Sequence, residues 1–132
     1  MRIIKFRGKG KWSGKWFIGA LIPNGEKNVA IAPFKEKFHL EEVDHKTVGQ
    51  FTGLYDKNGR EIYENDIVDC WSAGQHLRNG IIKWGRGSCG FFIGNETNSI
   101  LWNLSCDNNY RETLEVVGNI HDNPEMLKGG EK

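Results

Sequence analysis

The stretch TGLYDKNGREIYENDIV, Thr52 to Val68, decides how this chain folds, because turn signals and short β segments alternate within it. Asp56, Lys57, Asn58 and Gly59 form the first turn signal, since Asn-Gly is the pair that most readily takes positive φ in a tight turn. Ile62, Tyr63, Ile67 and Val68 supply β-forming side chains, and Glu64, Asn65 and Asp66 interrupt them with a second turn-prone cluster. Two bends in so short a segment predict a compact β corner. Glu61, Glu64 and Asp66 could also serve acid/base or metal chemistry as a carboxylate cluster. Placed among turn residues, such side chains favour local hydrogen bonds to the backbone, and the structural reading is preferred.

Outward from this corner, the flanking sequence is also β in character. Toward the amino end, Arg2 to Arg7 reads as a strand, with Ile4 and Phe6 on one face and Ile3, Lys5 and Arg7 on the other. Gly8, Gly10 and Gly14 then punctuate a loop. The run WFIGALI, Trp16 to Ile22, is a second strand closed by Pro23, Asn24 and Gly25, and the two strands are expected to pair as a hairpin. Asn28 to Ala32 offers a third strand, ended by Pro33, which has no amide to donate. Phe38 to Val43 suits a further strand or a short helix. Asp44 can cap a turn of His45, Lys46 and Thr47, and any helix here is brief because Gly49 and Gly53 bound it.

Toward the carboxyl end, Ile67–Trp71, Gly80–Trp84, Cys89–Ile93, Ile100–Leu104 and Leu114–Ile120 are short apolar segments separated by turn formers. Ser72 to Asn79, SAGQHLRN, is polar enough for an exposed hairpin loop, and Gly85 and Gly87 flank Arg86 in the next turn. Five such strands fit a small SH3-like barrel, whose closure protects sheet edges. The expected fold class is mainly β with at most short helices. It is one domain over 1–132, with an amino-terminal β subdomain (1–50), a barrel-like part (51–124) and a tail (125–132) that includes the polar Lys128 to Lys132.

The chain has 132 residues, 38% hydrophobic and 27% charged, which places it among globular chains able to bury roughly two thirds of their unfolded surface. No apolar run approaches a bilayer span, and MRIIKFRGKGKW lacks the pattern of a signal peptide, so a cytoplasmic location without membrane association is expected. Cys70, Cys89 and Cys106 are odd in number and lack zinc-knuckle spacing, so free thiols are expected, with no metal assembled from them and His39, His45, His76 or His121. No cofactor motif is present. Asn95 and Asn103 head glycosylation sequons that matter only on the secretory route. The net charge of +1 hides a division: residues 1 to 38 hold nine Lys or Arg against two acids, a net of +7, and residues 39 to 132 hold nine against fifteen, a net of −6.

The pattern of Thr47, Thr52, Gly53, Leu54, Asp56, Asn58, Gly59, Glu61, Ile62, Tyr63, Glu64, Asp66, Ile67 and Val68 resembles the signature of the YopX family of phage and prophage proteins. Phe6, Arg7 and Trp16 are similar to the family's opening strand and following aromatic. Glu115, Val116, Val117, Gly118, Asn119, Ile120, Asn123, Pro124 and Glu125 are similar to its carboxyl end. The resemblance is weakest between about Ser72 and Arg111. Asn65 stands where the family pattern has Gly, which bears on the type of that turn. The resemblance implies a phage or prophage origin in a bacterial host and carries over no catalytic residue, because the family has no established activity. Thr52, Gly53, Asp56, Asn58, Gly59, Ile62, Tyr63 and Asp66 are accordingly read as structural.

Three functions follow from these readings. The preferred one is a non-enzymatic module that forms a homo-oligomer or joins a host or phage protein, its basic amino region complementing an acidic carboxyl region on a neighbour. The second is nucleic-acid binding, in which Arg2, Lys5, Arg7, Lys9, Lys11 and Lys15 contact phosphates and Phe6, Trp12 and Trp16 stack on bases; the competing reading sends the Trp rings into the core. The third is an enzyme using Glu61, Glu64 or Asp66 with a His, and no P-loop, nucleophile elbow or HExxH supports it.

Overall fold

The computed structural model describes residues 3–25, 27–36, 39–85, 90–95, 100–104 and 113–126, and they are mainly β, as the turn and strand signals predict. Arg2, Phe38, Arg86, Gly87, Cys89, Cys106 and Lys128 to Lys132 lie outside the described residues. The chain forms two compact units, Met1–Phe51 and Thr52–Lys132.

In the first unit, β1 (Phe6–Lys9), β2 (Trp16–Pro23), β3 (Asn28–Pro33) and β4 (Glu41–Asp44) are successive antiparallel neighbours. A bridge between Gly10 and Val43, with Lys11 N donating to Glu42 O at 3.0 Å, returns β4 to the end of β1. Ile31 and Val43 are fully buried. Gly8 faces them: a Cβ there would lie 2.9 Å from Val43 Cγ2 and 3.3 Å from Ile31 Cδ1. That close approach corrects the loop expected from Gly8. The glycine is inside β1, which starts and ends later than the Arg2 to Arg7 reading, because the core needs a residue without a side chain at this point.

Of the two readings for Phe38 to Val43, the strand holds in β4. Asp44 then caps a single 3-10 turn, His45–Thr47, accepting from Lys46 N at 3.1 Å. Thr47 Oγ1 donates to Asp44 O at 2.6 Å and accepts from Lys9 N at 2.9 Å, tying the turn to β1. Gly49 does not bound a helix. It opens β5 (Gly49–Tyr55), whose first residues pair with β1 (Phe6 with Gln50, Arg7 with Gly49), and Gly53 lies inside the strand at φ 86.

The second unit holds the rest of β5 and β6 (Glu61–Tyr63), β7 (Asp66–Ser72), β8 (Gln75–Trp84), β9 (Phe91–Gly94), β10 (Ile100–Asn103) and β11 (Leu114–Asn119). The last five make an antiparallel sheet in the order β10-β9-β8-β7-β11. Its core joins Ile62, Val68, Cys70, Ile82, Ile93, Leu114 and Val116, with Leu54, Phe91 and Leu104 packed against it. Each buried Ile, Leu or Val side chain contributes about 1.5–3 kcal/mol through burial. Of the expected SH3-like barrel, the described residues display the five strands but no pairing of β10 with β11, the two ends of the order.

The polar stretch Ser72 to Asn79 is strand, not loop, apart from two residues. Ala73 (φ 51) and Gly74 (φ 80) make the two-residue turn whose twist matches a hairpin, and β7 and β8 pair up to Ser72 and Gln75. Gln75, His76, Leu77 and Arg78 are exposed, so solvent selects their polarity while backbone pairing keeps them extended.

Candidate functional site

The signature corner is built on two buried carboxylates. Asp56 is fully buried between β5 and β6. Its Oδ1 accepts from Asn58 N at 2.9 Å and Arg60 N at 2.8 Å, and its Oδ2 accepts from Val116 N at 2.8 Å. Gly59 N donates to Asp56 O at 3.0 Å, and Gly59 itself is at φ 79, the left-handed value that Asn-Gly predicts. Lys57 N donates to Leu114 O at 2.9 Å, the Arg60 guanidinium reaches Val116 O at 3.4 Å, and Asn58 Nδ2 donates to Glu115 Oε2 at 3.2 Å. Leu114 and Val116 turn these groups away from β7, so the Asp56–Arg60 turn occupies the outer edge of β11. A sheet edge left open would be a template for unwanted pairing, and here side chains and turn amides close it.

The second carboxylate, Asp66, is also buried, and its Oδ2 accepts from Tyr63 N at 2.7 Å. Tyr63 OH donates to Glu61 Oε1 at 2.9 Å. Asn65 takes φ 75, donates its amide to Ile82 O at 2.7 Å and accepts from Ile120 N at 3.1 Å. Asn adopts positive φ more easily than other residues with a side chain, which accounts for its standing in a glycine position. Thr52 Oγ1 donates to Ile62 O at 2.7 Å and accepts from Leu54 N at 3.1 Å. At the carboxyl end, Asn119 Oδ1 accepts from His121 N and Asp122 N at 3.0 and 2.9 Å, and Asn123 Oδ1 accepts from Asn119 N at 3.2 Å.

The histidines are divided between the units. His39 Nε2 lies 2.9 Å from Glu41 Oε1 and 3.7 Å from Glu36 Oε2, and its ring stacks on Phe17 at 6.3 Å. His45 Nδ1 is 3.8 Å from Asp44. His76 Nε2 is 3.3 Å from Asp69, with its ring edge-on to Trp71 at 5.3 Å. Among the described residues no group of three or more His, Cys, Asp or Glu is arranged to hold a metal ion. Burial, then the neighbouring Asp69, pushes the Cys70 thiol up to about 11, against a smaller lowering by Arg78.

The basic aromatic residues cluster on the first hairpin. Arg7 Cζ sits 5.0 Å and Lys9 Nζ 6.0 Å from the Trp16 ring centroid, and Lys5 Nζ sits 4.9 Å from that of Phe51. Lys11 Nζ is 5.9 Å from the Trp12 ring. Trp16 is half-buried under its cations, whereas Trp12 is 77% exposed at the hairpin tip. The tip is closed by Gly10 N donating to Lys15 O at 2.8 Å and Gly14 N to Gly10 O at 3.1 Å, which leaves Lys11, Trp12 and Lys15 in solvent.

One sheet face of the same unit is apolar and exposed. Cross-strand partners share a face, so Ile18 lies with Arg7, Ala20 with Ala32, and Ile22 with Ala30, itself opposite Glu42. Ile18, Ala20 and Ile22 are exposed. Near the far end of this face a groove of about 440 Å³ is lined by Ile22, Pro23, Val29, Ala30, Leu40 and Glu42 among others. The sequence reading missed it because WFIGALI is apolar at every position, and such a run does not reveal which face meets the core.

The model of the YopX family, described as YopX protein, matches residues 5–128. A comparison with curated proteins finds no match. Among solved structures the chain is similar to the crystal structure of protein EF1440 from Enterococcus faecalis, with a TM-score of 0.57 and 24% identity over 96% of this chain and 99% of that one. At this identity the likeness is one of fold. Among the described residues no helix is long and apolar enough to cross a membrane.

Proposed function

The chain belongs to the YopX family, and from that premise we propose that it is a phage- or prophage-encoded, non-enzymatic module that assembles with itself or with a host or phage protein. The observation that carries this reading is the exposed apolar face of the amino-terminal unit, where Ile18 and Ile22 share one face of β2 and exposed Leu40 lines the groove with Ile22. Grouped exposed apolar side chains of this size mark interaction surfaces. Charge supports it: residues 1–51 hold ten Lys or Arg against five acids, a net of +5, and residues 52–132 hold eight against twelve, a net of −4. A second copy therefore offers the opposite charge. The non-enzymatic reading draws on the engagement of Glu61 and Asp66 by Tyr63. Light scattering at several protein and salt concentrations tests the assembly, with association expected; a strict monomer under every condition rejects self-assembly.

A second reading, single-stranded nucleic acid on the basic hairpin, is favoured by the exposed Trp12 ring beside Lys11. Fluorescence anisotropy with labelled DNA at low salt tests it, and the absence of salt-sensitive binding removes it.

A further inference from the structure

The pair Asn-Gly occurs at three places in the chain, Asn24-Gly25, Asn58-Gly59 and Asn79-Gly80, and each pair can react with itself. The backbone nitrogen of the glycine can attack the side-chain carbonyl carbon of the asparagine, and a residue without a Cβ leaves that approach open. The reaction needs two freedoms. The glycine N–H must be available to lose its proton, and the asparagine must rotate about its own ψ and χ1 to bring Cγ onto that nitrogen. The fold grants these freedoms unequally.

Asn79 and Gly80 lie inside β8, where they pair with Asp69 and Val68 of β7. Gly80 is buried, and a Cβ on it would collide with Ile93 Cγ2, so the ladder and the packing above it hold the backbone extended. Asn58 and Gly59 are exposed, but both reacting groups are engaged. Gly59 N donates to Asp56 O at 3.0 Å, Asn58 Nδ2 donates to Glu115 Oε2 at 3.2 Å, and Asn58 N donates to Asp56 Oδ1 at 2.9 Å. Asn24 and Gly25 are exposed in the loop between β2 and β3. Asn24 N donates to Asn28 O at 2.7 Å, closing that loop, and among the described residues no hydrogen bond engages the Asn24 side chain or Gly25 N. Gly25 is at φ 91, with nothing within 4 Å of where its Cβ would stand.

We propose that the fold directs this chemistry to Asn24, making it a site of self-modification by deamidation with water as the only co-reactant. Gly25 N gives its proton to solvent and bonds to Asn24 Cγ. The Cγ–Nδ2 bond then breaks, and the nitrogen takes a proton from solvent and leaves as ammonia, closing a cyclic imide. Water opens the ring at either carbonyl: at Cγ it leaves aspartate, and at the backbone carbon it leaves isoaspartate, with a methylene added to the main chain. No electron is gained or lost. Either product places a carboxylate in the lining of the groove at the end of β2 and β3, where Asn24 stands with Glu42. The net charge of residues 1–51 falls from +5 to +4. Because the change is irreversible and advances with time, the loop records the age of the molecule, whether or not the chain assembles.

The test is incubation of the full chain at mildly alkaline pH, folded and in denaturant, followed by mass-spectrometric peptide mapping of the three sites. Each event adds about 1 Da, ammonia being exchanged for water. In the folded chain Asn24 is expected to convert at least about tenfold faster than Asn58 or Asn79, which react only when their surroundings open. In denaturant the three rates are expected to approach one another, since each asparagine then precedes an unconstrained glycine. Asn24→Gln, at an exposed position, is expected to melt as wild type does and to lose the early acidic form on isoelectric focusing. Conversion of Asn58 or Asn79 as fast as Asn24 in the folded chain overturns the proposal. So does a lead of Asn24 that persists undiminished in denaturant, or an early acidic form that survives in Asn24→Gln.

Discussion

Replacing Asp56 tests whether the signature corner is the device that closes the edge of β11. The buried carboxylate accepts three backbone amides at 2.8 to 2.9 Å, two from its own turn and one from Val116. Hydrogen bonds to a charged group contribute about 1.5–3 kcal/mol each, and a buried donor left without a partner costs about 1–3 kcal/mol. The three do not weigh equally. Asn58 and Arg60 are exposed, so water can replace the carboxylate at their amides, whereas Val116 is buried. Asp56→Asn keeps one oxygen for the two turn amides and turns an NH2 group on Val116 N, so about 1–3 kcal/mol is expected, concentrated at β11. Asp56→Ala removes all three acceptors and is expected to cost about 3–5 kcal/mol. Chemical denaturation measures the total, and hydrogen exchange at the Val116 amide localises it, with protection there falling more than at Ile82 in the sheet interior. An Asp56→Asn protein with wild-type stability and wild-type exchange at Val116 would refute the reasoning.

Three further outcomes are expected. Gly59→Val places a β-branched residue at φ 79, where a Cβ meets nothing within 4 Å, so its cost is backbone strain alone, about 1–3 kcal/mol in a melting experiment; equal thermal stability would contradict the turn assignment. Glu61→Gln keeps an acceptor for Tyr63 OH and is expected to stay within about 0.5 kcal/mol of wild type. Cys70, raised to about 11 in the folded chain, favours folding fully below the ordinary thiol range and loses that contribution as pH climbs toward 11. Folded protein at pH 8 is expected to alkylate at Cys70 only slowly and to do so readily in denaturant; mass-mapped labelling of this residue checks it, and equal rates in the two states would contradict the burial argument.

Turns and strands were legible for particular reasons. Asn58-Gly59 is a local rule of backbone sterics, and it holds at φ 79. Asp44 as the cap of His45–Thr47 is equally local, since the donor it satisfies is two residues away. The misreadings arose where a distant neighbour overrode the local signal. Gly8 reads as a loop residue until Ile31 and Val43 are seen to fill the space above it. Gly49 reads as a helix boundary until β1 pairs with it. The polar Gln75 to Asn79 reads as loop because composition reports exposure, and an exposed hairpin arm is as polar as a loop.

By itself, the sequence determined the β class, the family and the two bends of the signature, because turn chemistry and short-range capping act within a few residues. Only the tertiary structure decided what those bends do. The second oxygen of Asp56 reaches Val116, sixty residues away, and no periodicity in the chain records that partner. The same holds for the groove: both faces of the β2 run are apolar, and only the folded chain shows that Ile18, Ala20 and Ile22 are left to solvent while Gly19 is buried. Local backbone preferences are written in neighbouring residues, whereas edge closure and surface exposure are properties of contacts that exist only once the chain has folded.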